Sequence, residues 1–174
     1  MRAIRTFLFW STSPSWLSRM ICRITRGPWN HTGIGFRMDD CSEYYYEALA
    51  GKGVRGPKPM CELDAFAEKP GCVVFKDYTE LSPDKSYGKM LECVEMTGRT
   101  GYAEWQLVCM WAFERFNIPV PTSPNRVVCS ELTSRVLSPD IDLRDPSHTT
   151  FDTVNPSSSF RAWMRLHSSA MMDI

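Results

Sequence analysis

Cys129 is the residue in this chain best placed for nucleophilic chemistry. Val127 and Val128 precede it, and Cys129, Leu132 and Val136 recur at i, i+3 and i+7, on one face of a predicted helix. The first N–H groups of a helix point outward and its dipole favours negative charge, so a thiol there ionises more readily. The thiolate is the form that attacks carbonyl carbon. A small apolar residue that packs the start of the helix is the alternative interpretation.

His31 and Glu47 could supply the other groups that a nucleophilic cysteine needs. His31 opens one predicted strand, Glu47 lies within the next, and the turn between them predicts an antiparallel hairpin. The two residues are 16 positions apart, a separation that a hairpin can bring into contact. A histidine can accept the thiol proton, and a carboxylate can orient the imidazole. A solvated outer strand face is the alternative position for Glu47.

His148 is a second candidate base. It lies 19 residues after Cys129, in a polar segment with no strand carboxylate to orient its ring. A site built on Cys129 and His148 would have the cysteine first in chain order. The pairing of Cys129 with His31 is the preferred hypothesis because Glu47 completes it.

The composition predicts one globular domain over residues 1–174. Hydrophobic residues make up 43% of the chain and the formal net charge is zero, which gives no support to nucleic-acid binding. The seven cysteines are scattered, with no CxxC pair, so we expect reduced thiols and no structural zinc site or other cofactor. No leader or membrane-spanning run is evident, which predicts a cytoplasmic protein.

The elements that must position these residues form a mixed α and β pattern. A strand at 3–10 is predicted to be buried on both faces, and a helix at 14–24 follows it. Core packing is the preferred interpretation of the apolar stripe on that helix. Weak docking on an anionic membrane surface is the alternative, because Arg19, Arg23 and Arg26 lie nearby.

The rest of the chain supplies the remaining predicted elements. We expect a glycine-rich loop with a short strand at Val54-Arg55, a buried strand at 71–76, helices from Ser82 and over 105–116, a proline-rich connection to Cys129, a polar irregular segment at 138–155, and a short final helix at 160–166.

These motifs, in this order, resemble the permuted branch of the NlpC/P60 papain-like superfamily, which includes YiiX-like proteins and relatives of lecithin retinol acyltransferase. That branch has a histidine on an early strand, a polar residue on the next strand and a late cysteine at a helix start. The resemblance covers about residues 3 to 165. Its motifs are Asn30-His31-Thr-Gly-Ile-Gly, Tyr46-Glu47-Ala48 with Gly53-Val54, Val128-Cys129-Ser130-Glu131-Leu132, and Asp152-Thr-Val-Asn-Pro156.

The resemblance implies an α+β, circularly permuted papain-like fold, with a small antiparallel sheet packed against helices. It implies a Cys129–His31–Glu47 triad that hydrolyses an amide or ester through a thioester, without a cofactor. The implied substrates are small peptides, peptidoglycan fragments, or lipid amides and esters. Acyl transfer to lipids and an inactive binding module on the same scaffold are the alternatives. The long helical stretch from Pro83 to Phe116 departs from the pattern and leaves the substrate open, and a bacterial or phage-encoded source is expected.

Overall fold

A five-stranded antiparallel sheet is the centre of the protein. The computed structural model describes residues 1–103, 125–144 and 154–172. The strands follow the spatial order β4-β3-β2-β1-β5, and every neighbouring pair is antiparallel. They are β1 (Ala3–Thr12), β2 (His31–Met38), β3 (Glu43–Leu49), β4 (Gly53–Pro59) and β5 (Val73–Tyr78).

Five helices and a small second ladder complete the described part of the chain. The helices are α1 (Trp16–Ile24), α2 (Met60–Ala67), α3 (Pro83–Met96), α4 (Cys129–Leu137) and α5 (Pro156–Met172). The two-residue strands β6 (Gly101–Tyr102) and β7 (Arg126–Val127) pair in parallel. The mixed α and β class is therefore confirmed.

Strand β1 is buried on both faces, as predicted. Its residues from Phe7 to Trp10 are fully inaccessible to solvent. Phe7 and Phe9 pack with Tyr45 on the side covered by α2, whereas Leu8 and Trp10 belong to the larger core on the other side. A strand flanked by two others and covered on both faces needs an uninterrupted apolar run, which Phe7-Leu-Phe-Trp10 provides.

Helix α4 packs against the β2–β3 hairpin. Leu132 and Val136, the helical neighbours of Cys129, lie fully or almost fully buried in the larger core with Ile34 of β2. Each such side chain contributes roughly 1.5–3 kcal/mol on burial. The shared apolar face therefore fixes the start of α4 beside the hairpin.

The apolar stripe of α1 does not pack in the core, so that prediction is wrong. Trp16, Leu17 and Met20 are exposed, and the helix contacts the protein through small polar residues instead. Ser18 is buried, where its hydroxyl accepts from the Ser13 backbone N–H at 3.1 Å. Such polar contacts set the rotation of the helix and turn its apolar face outward.

The segment after β3 is more regular than the glycine and proline content predicts. β4 is a seven-residue strand rather than a short one at Val54-Arg55. Helix α2, which follows directly from Pro59, was not predicted. The two prolines of β4 are tolerated because it is an edge strand of the sheet.

Other boundaries also differ from expectation. β5 is a half-buried edge strand, with Val73 exposed, rather than a buried one. The last helix begins at Pro156, four residues before its predicted start at Phe160, and runs to Met172. The helix after Ser82 is confirmed, and Ser82 caps it. The expected helix at 105–116 and His148 lie outside the described residues.

Candidate active site

The β2–β3 hairpin brings His31 and Glu47 into contact. Glu47 is paired with Gly33 in the ladder, and His31 lies two residues before Gly33, hence on the same face. Such diagonal neighbours are within reach of long side chains. His31 Nε2 lies 2.7 Å from Glu47 Oε2.

Gly33 allows this face of the hairpin to close tightly. A Cβ atom at Gly33 would meet the Phe9 ring at 2.4 Å and the Tyr46 carbonyl oxygen at 2.7 Å. The Phe9 ring occupies this space and lies beside the imidazole, with the ring centroids 6.0 Å apart. Phe9 therefore forms an apolar wall against the imidazole of His31.

Cys129 is the first residue of α4, as the sequence predicts. Val128 is the N-cap, and its backbone N–H donates to Glu131 Oε2 at 3.3 Å. The Ser130 hydroxyl donates to the Val154 carbonyl oxygen at 2.5 Å. The first contact caps the helix start and the second ties it to the backbone at Val154, so the two together hold Cys129 in place.

The Cys129 thiol interacts with the imidazole of His31 through a hydrogen bond and through charge. The backbone N–H groups of Thr32 and Ser130 also favour the ionised form of Cys129 and so lower the pKa of its thiol. Because Glu47 holds Nε2 of the imidazole, Nδ1 is the ring nitrogen left for Cys129. The thiol therefore lies among three donors that favour the thiolate.

The electrostatics of Cys129 and His31 favour the ionised forms of both side chains. Burial opposes charge on the thiol and on the imidazole. The hydrogen bonds to Cys129 and Glu47 nevertheless raise the pKa of His31 to about 10. Burial likewise opposes ionisation of Cys129, yet its hydrogen bond to His31, the imidazolium charge and the backbone donors lower the pKa of the thiol below its ordinary value. A thiolate–imidazolium pair follows, and this is the activated form of a cysteine nucleophile.

Glu47 is held at both carboxylate oxygens. Lys58 of β4 donates to Oε1 at 2.8 Å, opposite the contact with His31. Burial would raise the pKa of Glu47, but these two cations lower it to about 2. Only 7% of Glu47 is exposed, so its position on a solvated outer face is excluded.

A β-bulge in β4 aligns Lys58 with this carboxylate. Tyr45 pairs with Lys58 and Glu47 with Arg55, so β4 carries one extra residue in this interval. Gly56 lies within it at φ +147, where an added Cβ would meet the Tyr46 ring at 2.4 Å. Lys58 was not predicted from the sequence, because a lysine between two prolines gives no signal of a carboxylate partner on the neighbouring strand.

A cavity of about 430 Å³ opens beside the imidazole. His31, Glu47 and Lys58 line it on the polar side, and Leu17, Leu63 and Phe66 of α1 and α2 add apolar wall. A carbonyl compound bound there would lie next to the imidazole with an apolar portion against the two helices. The sheet thus places the imidazole and the carboxylate at a cavity walled by α1 and α2, whereas Cys129, on α4, does not line this cavity.

The structure brings together all three residues that the sequence analysis selected. Cys129 is 3% exposed, so it is buried as the alternative interpretation requires, but it is also in contact with an imidazole. Among the described residues, no group of three or more His, Cys, Asp and Glu side chains could hold a metal ion. The site therefore consists of a cysteine, a histidine, a carboxylate and a lysine.

Comparison with known proteins adds no assignment. No protein-family model matches the chain, and a search of curated proteins finds no significant match.

No helix among the described residues is long and apolar enough to cross a membrane.

Proposed function

We propose that the protein is a cysteine-dependent hydrolase that cleaves an amide or ester through a thioester acyl-enzyme. The observation that carries this proposal is the imidazole of His31, which interacts with the Cys129 thiol while its Nε2 lies 2.7 Å from Glu47. In a catalytic triad the nucleophile contacts a base, and the base contacts an orienting carboxylate. Cys129, His31 and Glu47 make contacts in this order.

In the first half of the proposed reaction the Cys129 thiolate attacks the substrate carbonyl carbon. An S–C bond forms, and the carbonyl π electrons move to the oxygen. The His31 imidazolium then gives its proton to the leaving amine or alcohol as the carbonyl re-forms and the C–N or C–O bond breaks. Glu47 stabilises the imidazolium and keeps the ring oriented.

In the second half, neutral His31 takes a proton from water, and the resulting hydroxyl attacks the thioester carbon. The C–S bond breaks, the carboxylic acid leaves, and the thiolate–imidazolium pair is restored. The Cys129 backbone N–H, at the start of α4, is the proposed donor to the oxyanion in both halves. A helix start favours negative charge at that point.

The permuted papain-like fold belongs to the same proposal. It is supported by the chain order, with His31 and Glu47 on an early hairpin and Cys129 late, at the start of a helix that packs on that hairpin. The described antiparallel sheet is compatible with it. Small peptides, peptidoglycan fragments and lipid amides or esters are the proposed substrates.

Acyl transfer to an acceptor other than water is the second candidate function. The cavity of about 430 Å³ favours it, because this volume has room for an acceptor beside the imidazole. The acceptor would replace water in the second half of the reaction, with His31 taking the proton from its amine or hydroxyl group.

Acylation by p-nitrophenyl esters of increasing chain length, followed by intact mass spectrometry, tests the chemistry. We expect an acyl group on Cys129 that hydroxylamine removes, as a thioester requires. Cys129→Ala and His31→Ala should abolish its formation, whereas His148→Ala should acylate like the parent. Added amines or alcohols that divert the acyl group would identify a transferase. No acylation of the folded parent would favour a binding module, and loss in His148→Ala with retention in His31→Ala would reverse the assignment of the base.

A further inference from the structure

Helix α1 is amphipathic, but its polar side faces the protein and its apolar side faces outward, the opposite of an ordinary surface helix. Its protein-facing side consists of small polar residues: Ser18 bonds with Thr12, and the Thr25 hydroxyl, just after the helix, lies 3.2 Å from that of Ser157. Ser18 and Thr25 are buried. The apolar side therefore faces away from the protein.

The exposed apolar surface is large for so short a helix. Trp16 is 71% exposed, Leu17 43% and Met20 42%. With half-buried Ile21 and Ile24 they cover one continuous side of the helix. Contiguous apolar surface rimmed by polar residues marks an interaction site.

Three arginines border this apolar side. Arg19 and Arg23 lie one turn after Trp16 and Met20, at i+3 spacing, and Arg26 follows the helix. All three are exposed, and none forms an ion pair with a residue in the described ranges. Residues 1–38 contain six arginines and no aspartate or glutamate, although the whole chain is neutral.

We propose that α1 docks on an anionic lipid bilayer. Trp16, Leu17 and Met20 enter the headgroup–acyl boundary, and the three arginines contact lipid phosphates. An interfacial helix combines an aromatic and aliphatic face with basic residues beside it, and α1 itself contains no acidic residue. Phosphate oxygens supply the negative charge that α1 itself lacks.

The charge pattern favours a bilayer over a second copy of the chain. A two-fold dimer presents the same patch from both copies. The arginines of both copies would then share one interface, and residues 1–38 contain no carboxylate to compensate their charge. Leu17 and Ile21 also line the cavity beside His31, so docking would set the opening of that cavity at the membrane surface.

Co-sedimentation of the full chain with vesicles tests the docking. We expect binding to vesicles of 3:1 phosphatidylcholine and phosphatidylglycerol, weak binding to phosphatidylcholine alone, and release by high salt. Trp16→Ala with Met20→Ala should weaken binding about tenfold or more, because both side chains enter the bilayer. Arg19→Glu with Arg23→Glu should weaken it at least as much, since each basic residue contributes near an anionic surface.

Matched variants distinguish docking from general surface effects. Leu91→Ala with Val94→Ala removes exposed apolar side chains from α3 and should bind like the parent. Cys129→Ala should also bind like the parent, so docking and the proposed chemistry can fail separately. Thermal melting establishes that each variant is folded.

Three results would overturn the proposal. The first is that the folded parent does not bind anionic vesicles. If the Trp16 and Met20 changes then also lowered the melting temperature, another part of the protein would cover the apolar side of α1. The second is equal binding by parent and α1 variants. The third is a concentration-dependent dimer that the α1 variants dissociate, which would assign the surface to a second copy.

Discussion

Lys58 Nζ lies 2.8 Å from Oε1 of Glu47, so the carboxylate beside the imidazole is neutralised from its other side as well. Lys58 does not reach the reacting atoms in the proposed mechanism and is a positioning residue. It keeps Glu47 ionised and limits the rotation of its carboxylate. Glu62 of α2, 3.6 Å from Lys58, adds a weaker second partner.

Replacing Lys58 should shift the acid side of the pH–activity profile to higher pH. Lys58→Met removes one cation from Glu47, so the pKa of this carboxyl rises from about 2 toward its ordinary value. Protonation, which ends its stabilisation of the imidazolium, then begins at higher pH. We expect the loss of kcat/KM to be greater at pH 5 than at pH 8, and Lys58→Arg to retain much of the parent profile. An equal loss at every pH would indicate a purely structural role.

The Cys129 thiol should react at a pH where ordinary thiols do not. His31 and the backbone donors lower its pKa, so its alkylation rate should remain high well below pH 8.5, the ordinary range for a thiol. His31→Gln should shift the alkylation profile toward that range. Iodoacetamide rates against pH, resolved by peptide mapping, measure both effects. Preferential labelling of exposed Cys41 or Cys61 at pH 6 would contradict this prediction.

Glu47→Gln should reduce turnover without abolishing it. The amide keeps the size of the side chain but loses the charge that stabilises the imidazolium, and a loss of about 10²-fold or more in kcat is expected by analogy with serine triads. Cys129→Ala and His31→Ala should each be more severe, because they remove the nucleophile and the base. Burst and steady-state kinetics with the best p-nitrophenyl ester measure the order.

Glu62→Gln is the matched control for that series. It changes the same functional group on a half-exposed carboxylate that touches Lys58 but not His31. Glu62 lines the cavity but lies outside the contact between Glu47 and His31, so Glu62→Gln should lower turnover much less than Glu47→Gln does. Equal losses in Glu47→Gln and Glu62→Gln would remove the special role of Glu47.

Gly33→Ala should destabilise the fold and the site together. Its Cβ would lie 2.4 Å from the Phe9 ring and 2.7 Å from the backbone oxygen of Tyr46, and the backbone atom cannot swing away. Overpacking of this kind costs about 1–3 kcal/mol. Denaturant melts and the acylation rate measure the two effects.

Gly88→Ala provides the opposite expectation in the same protein. Gly88 lies within α3, and an added Cβ meets no atom within 4 Å. Alanine is the better helix former by about 0.8–1.0 kcal/mol, so stability should stay the same or rise. If the Gly33→Ala protein were as stable as Gly88→Ala, the Phe9 ring would be able to move aside for the added Cβ atom at little cost in stability.

The sequence predicts those parts of the site that depend on local patterns. The hairpin of His31 and Glu47 follows from two strand patterns and a turn, and Cys129 at a helix start follows from its spacing to Leu132 and Val136. The aromatic neighbours of Glu47 indicate that a carboxylate there needs a partner. All three residues therefore could be selected before their distances were known.

Features that depend on distant contacts could not be predicted. Helical spacing shows that α1 has an apolar side, but it does not show which side faces the protein. That choice is made by Ser18 and Thr25, whose partners include Ser157 far along the chain. The contact between Lys58 and Glu47 could not be predicted for a related reason, because a bulge in β4 determines which carboxylate Lys58 contacts.

The separation of the site along the chain has a consequence for biosynthesis. His31 and Glu47 belong to one hairpin, but Cys129 is 98 residues after His31. On the ribosome the hairpin emerges first, and the thiol meets the imidazole only once α4 has been made and has docked on the sheet. Chains fold progressively during synthesis, so an unfinished chain would carry a histidine and a carboxylate without an activated nucleophile. Chemical reactivity would thus appear as a late event in the maturation of the polypeptide.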